Sequence, residues 1–344
     1  MFRLRILTFC TVVCAALIFF FKKRIPSTIA AGEGLVIKNE WLINTAVTKI
    51  PSSDIRPGDQ TFLTFPEWYL VFSPEEQAQY FEKHTATGFP FMDHTRQIWD
   101  SYDIVKDQIR DNFPPNDGYH FMIRVIGSSA TAEYSFKALY ETLIGRITDT
   151  RSVETVEDKF NAKFTREYVD FIKDLPWYQF DFKSQLGELW RNNSLIGNHP
   201  LRKLERRYLL TSELLVKWGY GKLIGLGTAQ VYEEALLTTA VVTGSGEIIH
   251  LPRYDRFAIE ATKLARDGIT FTEIAGNNTA IMMSLLVPAE WVSNLPGSQL
   301  LFTQPVASNH SKKRVVVVTR VNDLAALLRR TDDQHLEVEH VFDF

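Results

Sequence analysis

The period of the hydrophobic residues changes once along this chain of 344 residues. From about residue 61 to 225, apolar side chains recur three and four apart, at helical spacing. Beyond about residue 231 they come in short runs rich in Val, Ile, Leu and Thr. Turns such as Gly244-Ser245-Gly246 and Gly276-Asn277-Asn278 separate those runs. A chain that places its helices first and its strands afterwards is expected to be α+β, with helices against an antiparallel sheet. The chain divides into four parts: an N-terminal transmembrane helix over residues 1–24, a juxtamembrane linker over 25–59, an aromatic-rich helical subdomain over 60–230, and an α+β sandwich over 231–344. Strand–helix–strand occurs twice in the last part, which predicts a ferredoxin-like arrangement.

The helical part is dense in rings: 25 of the 43 Phe, Trp and Tyr residues lie in residues 61–182. Ser73-Pro74-Glu75-Glu76 is a capping-box pattern with proline at the first helical position, so it predicts a helix from Ser73 to about His84. Further helices are expected over 94–112, 118–148 and 155–175, and a fifth from Pro200 to about Gly225. Strands are expected over 233–243, 247–251, 269–275, 280–287, 298–304, 314–321 and 336–342, with helices at 254–266 and 322–330.

Residues 1–30 carry Arg3, Arg5, Lys22, Lys23 and Arg24 and no acid, so this end is +5 and the remainder −8 within a formal net charge of −3. The basic residues bracket an apolar run of 16 residues, Ile6 to Phe21. That is a little short of a bilayer span of about 20 residues, but Lys22 and Lys23 extend it by snorkelling. Charge directly after the run suits an uncleaved anchor better than a signal peptide. Both cysteines, Cys10 and Cys14, lie in the run. The body therefore has no disulfide and no thiol nucleophile, which permits an extracytoplasmic location. The near-neutral net charge argues against a dedicated nucleic-acid binder.

Thr61-Phe62-Leu63-Thr64-Phe65-Pro66-Glu67-Trp68-Tyr69-Leu70-Val71-Phe72-Ser73-Pro74-Glu75-Glu76 resembles the signature of a family of bacterial hypothetical proteins with one N-terminal membrane segment. Glu133-Tyr134, Leu139-Tyr140-Glu141, Ile144-Gly145-Arg146, Pro176-Trp177-Tyr178, Arg206-Arg207 and Tyr220-Gly221-Lys222-Leu223-Ile224-Gly225 extend the likeness over residues 60–230. The resemblance implies a bacterial inner-membrane protein with one span and transfers no catalytic residue.

Three groups of residues are site candidates. Glu67, Trp68 and Tyr69, with Phe65 and Phe72, make either an apolar pocket with one polar handle or a buried helix. Glu133, Lys137 and Glu141, flanked by Tyr134 and Tyr140, make either a buried ionic cluster suited to acid–base chemistry or a solvated helix face. Arg202, Lys203, Arg206 and Arg207, with Glu205, form a basic stretch that can touch anionic headgroups; its alternative is a solvated face on a helix whose Leu201, Leu204 and Tyr208 pack inward. Asp93-His94-Thr95-Arg96, Asp100, His120 and His199 lack metal-ligand spacing. The 335–343 segment is expected to turn His335, Glu337, Glu339 and Asp343 to one face, either the solvent face of an edge strand or a divalent-cation site, and Leu336, Val338, His340 and Phe342 to the other. Gly219, Gly221, Gly225 and Gly227 come after a helix, not a strand, so they do not form a phosphate loop. No cofactor motif is present. The expected function is a non-enzymatic binding module for lipid, a hydrophobic ligand or an envelope partner. The alternative is an enzyme using Glu67, Glu133 and Glu141, joined by His94 or His120.

Overall fold

The computed structural model describes residues 30–31, 41, 48–56, 60–110, 112–149, 154–191, 197–228, 238–292 and 294–343. The expected anchor lies outside these residues. Among the described residues, no helix is long and apolar enough to cross a membrane.

A short strand, β1 (Ala30–Ala31), precedes a helical stretch. Its helices are α1 (Gln60–Phe81), α2 (Phe91–Ile109), α3 (Asp117–Tyr140), α4 (Val156–Ile172), α5 (Phe182–Arg191) and α6 (Pro200–Thr228). A π-turn, Glu141–Gly145, and a last helical turn, Arg146–Thr148, prolong α3. After residue 238 come β2 (Thr238–Thr243), β3 (Ile248–Pro252), α7 (Asp255–Arg266), β4 (Phe271–Ile274), β5 (Ala280–Pro288), β6 (Ser298–Pro305), β7 (Lys312–Arg320), α8 (Val321–Asp333) and β8 (Glu337–Val341). The α+β class and nearly every strand agree with the sequence pattern.

Two helices differ from expectation. α1 starts well before Ser73, and Pro66 and Pro74 both lie inside it. Each proline leaves a carbonyl of the preceding turn without its helical donor. Burial of Phe62, Phe65, Tyr69 and Phe72 along the same helix offsets that loss. Ser73 caps nothing; its Oγ lies 2.6 Å from Tyr134 Oη on α3. α5 has no counterpart among the expected helices, although Asp181 before it accepts a hydrogen bond from Ser184 N at 2.9 Å, as an N-terminal capping residue does. By contrast, Thr155 and Asp158 form a reciprocal capping box at the expected start of α4.

The strands make two antiparallel sheets, one of three strands in the order β3-β2-β4 and one of five in the order β1-β6-β7-β5-β8. The larger sheet is buried on both faces. Ala280 and Met282 of β5 and Val316 and Val318 of β7 join the core of Phe62, Phe65 and Tyr69 from α1 and Phe164 from α4. The intervening residues Ile281, Met283, Val315 and Val317 pack against Phe257 of α7 and Leu324 and Leu328 of α8. Strand alternation produces this division. Phe65 shows how intimate the first contact is, with its ring 5.0 Å from Phe302 and 5.6 Å from Phe342. The hydrophobic core therefore crosses the change of element type near residue 230.

The edge strand β8 departs from the expected alternation. Leu285 pairs with Val338 but Ser284 pairs with His340, so Glu339 is an extra residue in a bulge. The bulge re-aims the residues after it. Val338 stays with the α7–α8 core, whereas His340 turns to the opposite face and stacks 4.0 Å from Trp68. Glu339 and Asp343 are not solvated: they pair with Arg314 and Arg253.

Candidate functional site

α6 is inside out relative to the sequence reading. Arg202, Arg206 and Arg207 are buried, Arg202 to 1 % exposure, whereas Leu201 is 72 % exposed and Leu204 and Tyr208 are also open. Of the basic stretch assigned to a membrane surface, only Lys203 stays partly open. The reason is the supply of acids on the inner side. Asp158 at the start of α4 accepts from Arg202 Nη2 at 2.8 Å, and Glu157 accepts from Arg207 Nη2 at 2.5 Å. Glu141 accepts from Arg206 Nη1 and Nη2 at 2.5 and 3.1 Å. Buried guanidinium groups demand such partners, because an unpaired one costs several kcal/mol. Arg207 also lies 5.2 Å from the Trp190 ring of α5.

Arg206 and further pairs tie α6 to α3. Glu205 and Arg206 meet Tyr140 and Glu141, Glu213 meets Lys137, and Lys217 meets Glu133. One number rises as the other falls, so the helices are antiparallel. Glu133, Lys137, Glu213 and Lys217 make a four-charge cluster in which Lys137 and Lys217 each lie 2.9 Å from Glu213. Burial opposes ionisation of Glu213, but the two ammonium groups prevail and lower its pKa to about 2. Glu133 is held below its ordinary value in the same way, against burial, by Lys217 and Lys137. Gly145 in the π-turn makes room for Glu141, since a Cβ there would collide with its carboxylate. Of the candidate residues, the structure thus brings together Glu133, Lys137, Tyr140 and Glu141 with Arg202, Arg206 and Arg207 along one ionic seam.

With its charges spent on the seam, the pair turns apolar side chains outward. On α3 and its extension these include Phe121, Val125, Phe136, Leu139, Leu143 and Ile147, the last 83 % exposed. On α6 they include Leu201, Leu204, Tyr208, Leu215, Val216 and Leu223. The exposed charged residues of the two helices and the π-turn extension are Arg124, Arg146, Lys222 and a single acid, Asp117 at the start of α3. Large apolar patches with a polar rim mark interaction surfaces.

Glu67, Trp68 and Tyr69 lie elsewhere, at the contact of α1 with the sheet. Glu67 accepts a short hydrogen bond from Tyr119 Oη, and its pKa is raised because burial outweighs that bond. Trp68 is stacked between His340 and Tyr254. Tyr69 Oη lies 2.8 Å from the side-chain oxygens of Gln97 and Gln304. Tyr134 completes a different contact, with Ser73 and Gln77. The carboxylates of Glu67, Glu133 and Glu141 therefore take separate partners. Sequence reading missed a further buried centre nearby: Arg314 of β7 donates to Glu76 at 3.0 Å and to Glu339 at 2.6 and 2.7 Å, with His94 3.4 Å from Glu76. An arginine at an inward strand position of a sheet covered on both faces was the signal for it. Among the described residues, no group of three His, Cys, Asp or Glu is placed to hold a metal ion.

Comparison with protein-family models, with curated proteins and with solved structures gives no match.

Proposed function

We propose that the chain is a bacterial, single-pass membrane-anchored binding module without catalytic activity, whose α3–α6 face rests on an anionic lipid bilayer. One observation carries this reading: on this helix pair the carboxylates except Asp117 are drawn into the seam, while apolar side chains and a basic rim are left outward. A lipid surface matches that pattern, because the interfacial zone accepts apolar side chains and anionic headgroups attract Arg and Lys. The basic, apolar N-terminal run adds a second membrane signal, and a body free of cysteine suits an extracytoplasmic location. The engagement of Glu67, Glu133 and Glu141 by separate partners supports structural roles for them rather than acid–base catalysis.

The fold is read in the same way as a ferredoxin-like variant. The order β8-β5-β7-β6 is the ferredoxin-like strand order, with α8 as one crossover and, as the other, a link from β5 to β6 that has no helix among its described residues. α7, which packs beside α8, takes the place of the missing helix.

Flotation of residues 30–344 with vesicles tests the lipid reading. Binding to vesicles containing anionic lipid, weakened by salt and by replacing Leu139, Leu143, Leu204 and Val216 with Ser, is expected. Absence of binding to anionic and neutral vesicles alike overturns it.

A further inference from the structure

The corner between α2 and α3 holds an open cleft of about 230 Å³. Phe113, Pro114 and Pro115 give it an apolar wall. Lys106, Arg110, His120 and Arg124 also line it, and Asp117 is the one acid among the described lining residues. Arg110 is engaged by Asp107 on its own helix, so Lys106 and Arg124 carry the positive surplus.

Two of these groups are held in place from below. Tyr102 is buried on α2, and its hydroxyl accepts a hydrogen bond from Arg124 Nε at 3.3 Å. The same hydroxyl lies 2.9 Å from His120 Nδ1. The phenol oxygen has two lone pairs and one proton, so it pairs with either tautomer of His120 while accepting from Arg124. One buried phenol thus holds a guanidinium and an imidazole side by side at the cleft wall. Donors on flexible stems lose side-chain entropy on binding, and this anchoring reduces that cost.

We propose that this cleft binds a phosphate group carried on an organic substituent, with the oxygens met by Lys106 and Arg124 and the substituent laid on Phe113 and Pro114. A tetrahedral anion with several oxygens suits cations that approach from two helices, whereas a planar carboxylate is satisfied by a single guanidinium fork. The proposal rests on the bilayer reading for its natural source. Phe121 and Val125 of the outward apolar stripe flank Arg124 on α3, which puts the cleft where the stripe ends and where headgroup phosphates lie beside buried acyl chains. A soluble phosphate ester offers the same chemistry.

Calorimetric titration of the full chain in a neutral detergent tests the cleft with three probes: inorganic phosphate, glycerol 1-phosphate and dihexanoyl phosphatidic acid. Saturable one-to-one binding of at least one probe is expected. It should weaken about tenfold in Lys106→Gln/Arg124→Gln, the loss expected for a charge-assisted contact. The single variant Lys106→Gln, on a partly exposed side chain, repeats the test without disturbing Tyr102. Tyr102→Phe keeps every cation and should still weaken binding several-fold. Tighter binding of the lipid than of glycerol 1-phosphate assigns the source to a headgroup, and equal binding assigns it to a soluble ester; both results support the cleft. No saturable binding of any probe, or binding unchanged in Lys106→Gln/Arg124→Gln, overturns it. The probes are presented without vesicles, so this outcome is separate from the flotation result that decides the bilayer reading.

Discussion

Arg206 of α6 grips Glu141 in the π-turn after α3 with two hydrogen bonds, 2.5 and 3.1 Å long, and both side chains are buried. A basic residue on an apparently amphipathic helix has thereby become an internal strut. Desolvation of both ions is costly, and the bidentate geometry is what offsets it.

Removing one ion leaves the other buried and unpaired. Arg206→Ala is expected to destabilise the fold by about 3–5 kcal/mol. Lys203→Ala, three residues away on the same helix, is expected to change stability by no more than about 0.5 kcal/mol. Urea unfolding of the full chain in detergent measures both. Equal effects would show that Arg206 is not a strut.

Gly145 is the second support of this pair. Gly145→Ala places a methyl group where the Glu141 carboxylate now lies, so the carboxylate must move away from Arg206. A loss of about 1–3 kcal/mol is expected. In a double-mutant cycle with Glu141→Gln the two losses should add to less than their sum, because both remove the same contact. Full additivity would contradict the placement.

Acid should weaken the α3–α6 seam in a defined range. Glu213 has its pKa lowered from an ordinary value of 4.5 to about 2, against burial, by Lys137 and Lys217. Its contribution is complete above pH 4.5 and is lost as pH falls toward 2, since the unfolded chain takes up the proton first. The slope of unfolding free energy against pH in that range should be shallower in Glu213→Gln than in the unaltered protein. An identical slope would mean that the cluster does not set the acid limit.

His340 gives a separate pH signature. Burial, with a smaller push from Arg253, lowers its pKa from 6.5 to about 3. The folded state keeps it neutral, so stability is complete above pH 6.5 and declines as pH falls toward 3. Asp255, 3.9 Å away, works in the opposite sense, because burial raises its pKa to about 6. His340→Phe, which keeps a ring against Trp68, should remove the histidine part of the slope. Circular dichroism melts between pH 3 and 7 would show it, and an unchanged profile would count against a buried neutral ring.

The sequence made the order of elements legible, because burial on one face writes its period into the chain. The strands from Ala280 to Val341 and the helices α2, α4, α7 and α8 can be read from that period. The pattern hid the direction of helix faces. On α6, Leu201, Leu204 and Tyr208 share a face, and the ordinary expectation is that such a face is internal. The acids that reverse it, Glu141, Glu157 and Asp158, come from other helices, so the reversal is a tertiary property. The same holds for β8, where the extra residue Glu339 shifts His340 onto Trp68, and for Arg314, whose partners Glu76 and Glu339 lie far apart in sequence.

The α3–α6 face is proposed to meet lipid. Spin labels at Leu139→Cys, Leu204→Cys and Leu223→Cys, in the full chain with Cys10 and Cys14 replaced by Ala, report it directly once the protein is in anionic vesicles. A control label at Glu260→Cys sits on a partly exposed position of α7. Collision with dissolved oxygen is expected to rise and collision with a water-soluble nickel complex to fall at the three helix positions, while the control remains water-accessible. Full access of the nickel complex to all four labels would contradict it.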